Sequence, residues 1–315
     1  MRVVSLLPSA TEILFAIGAG DRVVGVTFEC DHPPEARSRR IVSTSALAEG
    51  LTLAEIDAAV SARMAAGEDL YHLDEGALAD LDADLVVTQD LCAVCAVDAG
   101  DVRAALDHLG CDGRVLTVAP GSLGEVLASI VTLGTAVDAG PAAARLVAGL
   151  EARLRAVGER VAGARRPRTL VLEWTDPPFA PGHWVPEMVA AAGGEPVLGT
   201  AARPSERVTW EAVAAAGPEV VVCAPCGFGL ADAAAAGRAL LAADVLPAGA
   251  EVWAVDANAS WARPGPRLVD GVEALAGILH PERARPPAPE AAQILRRTPT
   301  TTPASVTSSS GTIGS

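Results

Sequence analysis

Two hydrophobic rhythms alternate along this chain. Short, almost unbroken apolar runs cover residues 2–7, 23–28, 84–88 and 114–118, with a shorter one at 40–43. Runs of this length, bounded by Gly, Pro and Asp, predict buried β-strands. Between them, apolar residues recur at steps of three and four over 9–17, 52–66, 74–81, 101–109 and 122–137, the spacing of helices with one buried face. Ser9 with Glu12, and Ser122 with Glu125, stand at capping-box spacing and predict two of the helix starts. The plan repeats further on. Strands are predicted at 169–172, 219–223 and 251–255, and helices at 186–192, 210–216 and 267–279, with another ending at 242. Strands separated by helices imply parallel pairing, and ligands then bind at the strand C-termini.

One segment fits neither half. Residues 141–163 set Leu146, Leu150, Leu154, Val157 and Val161 on a single helical face. Pro141 suits a first turn, while Gly163 and the following Arg165, Arg166 and Pro167 end the helix. About 23 residues make a rod of roughly 35 Å, the width of a small domain. The expected fold is therefore α/β, with two doubly wound lobes joined by a long backbone α-helix. The lobes are assigned to residues 1–138 and 165–281, the connecting helix to 139–164. Residues 282–315, rich in Pro, Ser and Thr, are expected to form a disordered tail.

Composition narrows the function. Half of the 315 residues are hydrophobic, yet no apolar run is long enough to span a bilayer, so the chain is not expected to be membrane-embedded. Lys is absent, which excludes Schiff-base chemistry and a phosphate-loop lysine. A net charge of −15 argues against nucleic acid and anionic membrane surfaces as partners. No nucleophile elbow, zinc-protease helix or dinucleotide fingerprint occurs, and the expected role is non-enzymatic. Met1 leads straight into the first strand, so the chain as written is expected to be cytoplasmic, or extracytoplasmic if a leader has been trimmed. A monomer is expected.

The cysteines carry a separate signal. Cys92 and Cys95 follow one first-lobe strand, Cys30 ends another, and Cys223 and Cys226 follow a second-lobe strand. All five stand where a cleft between lobes would lie. The spacing fits zinc or an iron–sulfur cluster, with His32 as a further donor; it also fits a redox pair or plain packing of small apolar side chains. Cys111 lies apart and is expected to be an ordinary buried thiol.

The stretches VVSLLPSATEILFAIGAGDRVVGVT, DADLVVTQ and ASWARPGPRLVDGVEALAGILHP together resemble the helical-backbone substrate-binding proteins of metal-chelate ABC importers, above all the cobalamin-binding branch. The resemblance spans about residues 1–281 and implies a binding protein for a corrinoid or related metal chelate, with an ABC permease as partner. A large flat chelate needs wide apolar faces and a few fixed polar contacts. On that basis Trp174, Trp184 and Trp261 are candidate stacking residues, and Arg263 a fork for a ligand amide, phosphate or carboxylate or else a structural tie to backbone carbonyls. His183 is a candidate cobalt ligand, and Phe28 and Asp31 stand at the first-lobe mouth. Asp74-Glu75 and Glu195 resemble the one acidic residue per lobe with which the family docks to its permease. The alternative is a metal or iron–sulfur protein with a sensing, carrier or redox role on the same scaffold, built on Cys30, Cys92, Cys95, Cys223 and Cys226.

Overall fold

The computed structural model describes residues 1–48, 50–68, 70–89, 100, 102–103 and 113–296. The first lobe runs β1 (Val3–Ser5), α1 (Pro8–Ala16), β2 (Val23–Thr27), β3 (Arg40–Ser45), α2 (Leu53–Ala66), β4 (Tyr71–Leu73), α3 (Glu75–Ala79), β5 (Leu85–Thr88), β6 (Arg114–Thr117) and α4 (Leu123–Ala136). Its sheet has the order β4-β3-β2-β1-β5-β6, parallel except for the β3–β4 pair. Val4 pairs with Gly25 on one side and Val86 on the other, so β1 lies at the centre and is wholly buried.

The connecting helix α5 (Gly140–Val161) follows, about 33 Å long at 1.5 Å per residue. Its face serves two cores in turn. Ala143 and Leu150 pack into the first-lobe core, Val157 and Val161 into the second, and Leu154 lies against both. Gly134 of α4 permits this: a Cβ there would stand 2.4 Å from that of Ala143. Burying one continuous apolar stripe in both lobes makes α5 a brace rather than a loose tether.

The second lobe comprises β7 (Arg168–Leu172), β8 (Trp174–Thr175), β9 (Pro178–Ala180), α6 (Val185–Ala191), β10 (Glu195–Pro196), β11 (Glu206–Arg207), α7 (Trp210–Ala216), β12 (Val220–Cys223), α8 (Leu230–Ala242), β13 (Glu251–Val255), α9 (Ala257–Ser260), α10 (Leu268–Leu279) and β14 (Ala292–Arg296). The main sheet has the order β10-β7-β12-β13-β14, and β11-β9-β8 form a small antiparallel sheet after β7. Arg153 of α5 fastens to α10 through Asp270 at 2.5 Å and Glu273 at 2.7 Å.

Several expectations need correction. Residues 282–296 are ordered: β14 pairs antiparallel with β13, Ile294 opposite Trp253, and Leu295 packs on the second-lobe core. Two apolar residues in a Pro-rich stretch suffice to cover a sheet edge. The Ser9–Glu12 capping box does not form, because α1 begins at Pro8 and both side chains are buried inside it. At α4 half of the expected box forms. The Glu125 amide donates to Ser122 Oγ at 3.2 Å, while the Glu125 carboxylate takes the Gly121 amide. The complete box is at Thr52 and Glu55, opening α2. The helix expected at 101–109 and the loop bearing Cys92 and Cys95 fall largely outside the described residues.

Candidate functional site

The C-terminal ends of both central sheets turn toward one another. In the first lobe β2 delivers Phe28, Glu29, Cys30 and Asp31; in the second, β7 delivers Glu173 and Trp174, β12 delivers Cys226 and Phe228, and β13 leads to Arg263. Arg263 closes the seam. Its guanidinium donates to the Asp31 carboxylate, to Glu29 O at 3.1 Å and to Glu12 Oε1 at 3.5 Å. Arg267 donates through Nε to Glu12 Oε2 at 2.9 Å and through Nη2 to Oε1. Glu12 comes from α1, so one nearly buried carboxylate receives two arginines of the opposite lobe. Burial opposes charge on Asp31, but the Arg263 hydrogen bond and the attraction of Arg263, Arg37 and Arg267 outweigh it and hold its carboxyl below the usual range. Arg263 was expected to hold ligand; with 11% of its side chain exposed and both Nη groups engaged, it joins the lobes instead. Asp31 is likewise taken up by this tie.

The aromatic candidates divide. Trp174 is half-buried beside Phe228, ring centroids 5.6 Å apart and edge to face, and its indole N–H donates to Asp176 O at 3.0 Å and Leu53 O at 3.2 Å. Across the cleft Phe28, 41% exposed, leans on Tyr71 with centroids 6.2 Å apart. These rings keep accessible faces. Trp184 and Trp261 do not: they are 6% and 2% exposed and lie in the second-lobe core, where the Trp184 N–H donates to Trp261 O at 2.8 Å. Both occur near loops in sequence, but the surrounding Val185, Met188 and Leu268 enclose them. Phe228 and Tyr71 were missed. A Gly-Phe-Gly turn after a strand was the available signal for the first.

His183 adopts a left-handed backbone, φ 49°, fixed by its amide donating to Arg203 O at 2.7 Å and its carbonyl accepting from Ala202. Burial holds its imidazole below the usual pKa, so the neutral ring, the form that binds metal, prevails. Burial also pushes the Glu173 carboxyl up to about 7, against hydrogen bonds from the Ser205 hydroxyl and the Gly182 amide that favour the charge. The folded protein therefore holds this proton more tightly than the unfolded chain, whose carboxyl titrates near 4.5. Stability must fall as pH rises from about 4.5 to about 7 and level off above. Glu173→Gln keeps the acceptor for Ser205 and should lack this slope. Urea unfolding of both proteins at about pH 5 and about pH 8 checks it; parallel pH profiles would mean the carboxyl charges freely.

The described cysteines, Cys30, Cys223 and Cys226, do not converge. Cys30 is buried in the first-lobe core, 3.1 Å from Thr11 Oγ1, and burial drives its thiol up to about 11. Cys223 is buried beneath α8 in the second-lobe core and is driven up to about 12. Each thiol is thus enclosed in the core of its own lobe. Cys226 points elsewhere, at the surface; Cys92, Cys95 and Cys111 lie outside the described residues. Among the described residues no group of three or more His, Cys, Asp or Glu could hold a metal ion. The expected zinc or iron–sulfur site is therefore not formed by Cys30, Cys223 and Cys226.

Glu75 is exposed in the first turn of α3, after the Asp74 cap. Glu195 is on edge strand β10 and pairs with Arg168 at 3.0 Å. The second-lobe counterpart of α3 is α7, since each precedes the strand beside its lobe's first strand, β5 beside β1 and β12 beside β7. Its first turn carries Glu211 after the Thr209 cap. Glu211, rather than Glu195, is therefore the positional counterpart of Glu75 in the second lobe.

Two parallel-sheet lobes facing across a seam and braced by one helix define a two-lobed ligand-binding protein. The chain belongs to the periplasmic binding protein family, whose model matches residues 3–247. The resemblance read from the sequence is thereby borne out. Similar solved structures include a periplasmic haem-binding protein from Pseudomonas aeruginosa, 20% identical with TM-score 0.70, covering 94% of this chain and 99% of that one. Another is the periplasmic vitamin B12-binding protein BtuF of Vibrio cholerae, 24% identical with TM-score 0.60, covering 88% and 96%. A third is the periplasmic haem-binding protein RhuT from Roseiflexus sp. RS-1, 23% identical with TM-score 0.64, covering 89% and 98%. No curated protein matches the chain. The expectation of a cytoplasmic protein is overturned: the family is one of periplasmic binding proteins, and these similar structures are of periplasmic proteins. Among the described residues no helix is long and apolar enough to cross a membrane.

Proposed function

We propose that this chain is the extracytoplasmic substrate-binding component of a metal-chelate ABC importer and that its ligand is cobalamin or a related corrinoid. One observation carries the choice of ligand. The cleft rims present aromatic faces, Phe28 and Tyr71 against Trp174 and Phe228, while both arginines at the seam are neutralised by Glu12 and Asp31. A haem carries two carboxylates and calls for free cations; a corrinoid is fringed with amides and needs mainly broad apolar contact. The neutral His183 imidazole is the candidate cobalt ligand. The role is binding and delivery, without catalysis. Glu75 and Glu211, equivalent in the two lobes, are the carboxylates for docking to permease arginines, whereas Glu195 is neutralised within its own lobe.

The test is direct. Protein mixed with hydroxocobalamin or with hemin is freed of unbound ligand, and its visible spectrum and tryptophan fluorescence are recorded. Retained corrinoid absorption with quenched fluorescence is expected. Retention of hemin alone would overturn the corrinoid assignment and keep the chelate-binding class.

A further inference from the structure

The segment between β3 and β4 leaves the first-lobe sheet and returns at the same point. Ala46 N–H donates to Leu70 O at 2.9 Å, and Ser45 pairs with Tyr71. Between these ends stands α2, held at its start by the Thr52–Glu55 box and near its end by Arg63 donating to Ala46 O at 3.2 Å. No residue of α2 is buried. Most of its half-buried residues nevertheless share one face: Leu53, Ile56, Asp57 and Val60 follow the i, i+3, i+4, i+7 spacing, Arg63 continues it a turn later, and Ala59 stands at its border. Leu53, Ile56 and Val60 belong to none of the core clusters formed by the described residues.

This face is turned toward the second lobe. Asp57, with 17% of its side chain exposed, accepts from Arg207 at 2.7 Å, and Leu53 O accepts the indole N–H of Trp174 at 3.2 Å. Both partners come from the small antiparallel sheet after β7. The apolar stripe thus lies across the cleft mouth beside the Trp174–Phe228 pair, anchored to both lobes and outside the core clusters of the described residues.

We infer that α2 is the roof of the cleft: Leu53, Ile56 and Val60 form a contact surface for the outer edge of the bound planar chelate, and the Asp57–Arg207 and Leu53–Trp174 contacts latch it shut. The inference rests on the chelate-binding reading above, and it gives a role to a half-buried apolar stripe that belongs to no core cluster of the described residues. Ligand exchange then requires the latch to open.

Two measurements test it. Amide hydrogen exchange on the ligand-free protein should show α2 exchanging about two- to fivefold faster in Asp57→Asn or Arg207→Gln, β1 and β5 unchanged, and the double variant no faster than either single, as for a partly exposed ion pair. Unaltered exchange in α2 would overturn the latch. Ile56→Asn with Val60→Asn, which touches no core cluster, should weaken hydroxocobalamin binding about tenfold at an unchanged unfolding midpoint. Equal affinity in variant and wild type overturns the roof. If the wild type takes up hemin rather than hydroxocobalamin, hemin serves as the probe. A wild type that takes up neither overturns the chelate reading, and the roof with it.

Discussion

Replacing Glu12 with Gln is expected to destabilise the ligand-free protein by about 3 kcal/mol, because it strips the carboxylate that serves two arginines of the other lobe. Glu12 is 4% exposed and sits inside α1. Its loss leaves Arg267 with no carboxylate among the described residues and Arg263 with Asp31 alone. Removing one partner of a well-buried pair costs about 3–5 kcal/mol; the low end applies here because Arg267 and Asp31 retain some water contact. Urea unfolding at neutral pH measures the loss. A companion variant, Glu12→Leu with Arg267→Leu, removes both charges and should regain much of it. A cost below about 1 kcal/mol for Glu12→Gln would mean that the lobes are joined by α5 and not by this network.

The same network has a predictable pH limit. The Asp31 carboxyl is held below its ordinary 3.8, so the folded form binds a proton less readily than the unfolded chain. Its contribution is complete above that value and is lost as pH falls through the depressed one.

The fold was legible because periodicity is a local property. The strand at 251–255 and the helix at 210–216 match the structure residue for residue, and residues 141–163 foretold α5 to within two positions at either end. What failed depends on contacts distant in sequence. Ser9 and Glu12 have capping spacing, but Glu12 is claimed by Arg263 and Arg267, about 250 positions away, and a capping role would leave Arg267 without a carboxylate among the described residues. Trp184 and Trp261 follow strands as ligand-binding residues would, yet they lie in the core and one indole donates to the other's carbonyl. The cysteines share strand-end positions, but Cys30 and Cys223 turn into different cores. Sequence gives the address of a side chain along an element. It does not give the side on which a partner will stand.

Loss of the Trp174–Phe228 pair is the change expected to damage ligand binding most. On the corrinoid-binding reading proposed above, Trp174→Ala with Phe228→Ala should weaken corrinoid affinity about 30- to 100-fold, or roughly 2–3 kcal/mol, since the two adjacent rings would then be the broad apolar face of the second lobe. Titration followed by corrinoid absorbance avoids dependence on tryptophan fluorescence, which the substitution itself changes. Trp174 has a second task, because its N–H also holds Leu53 of the roof helix. Trp174→Phe separates the two: it keeps an aromatic face and removes the donor, so it should retain most of the affinity while releasing ligand faster. Affinity lost equally in Trp174→Phe and the double alanine variant would put the energy in the hydrogen bond to α2 and not in stacking. Affinity intact in the double alanine variant would remove the second-lobe aromatic rim from the site, leaving Phe28, Tyr71, His183 and the α2 stripe as the surfaces still able to hold the ligand.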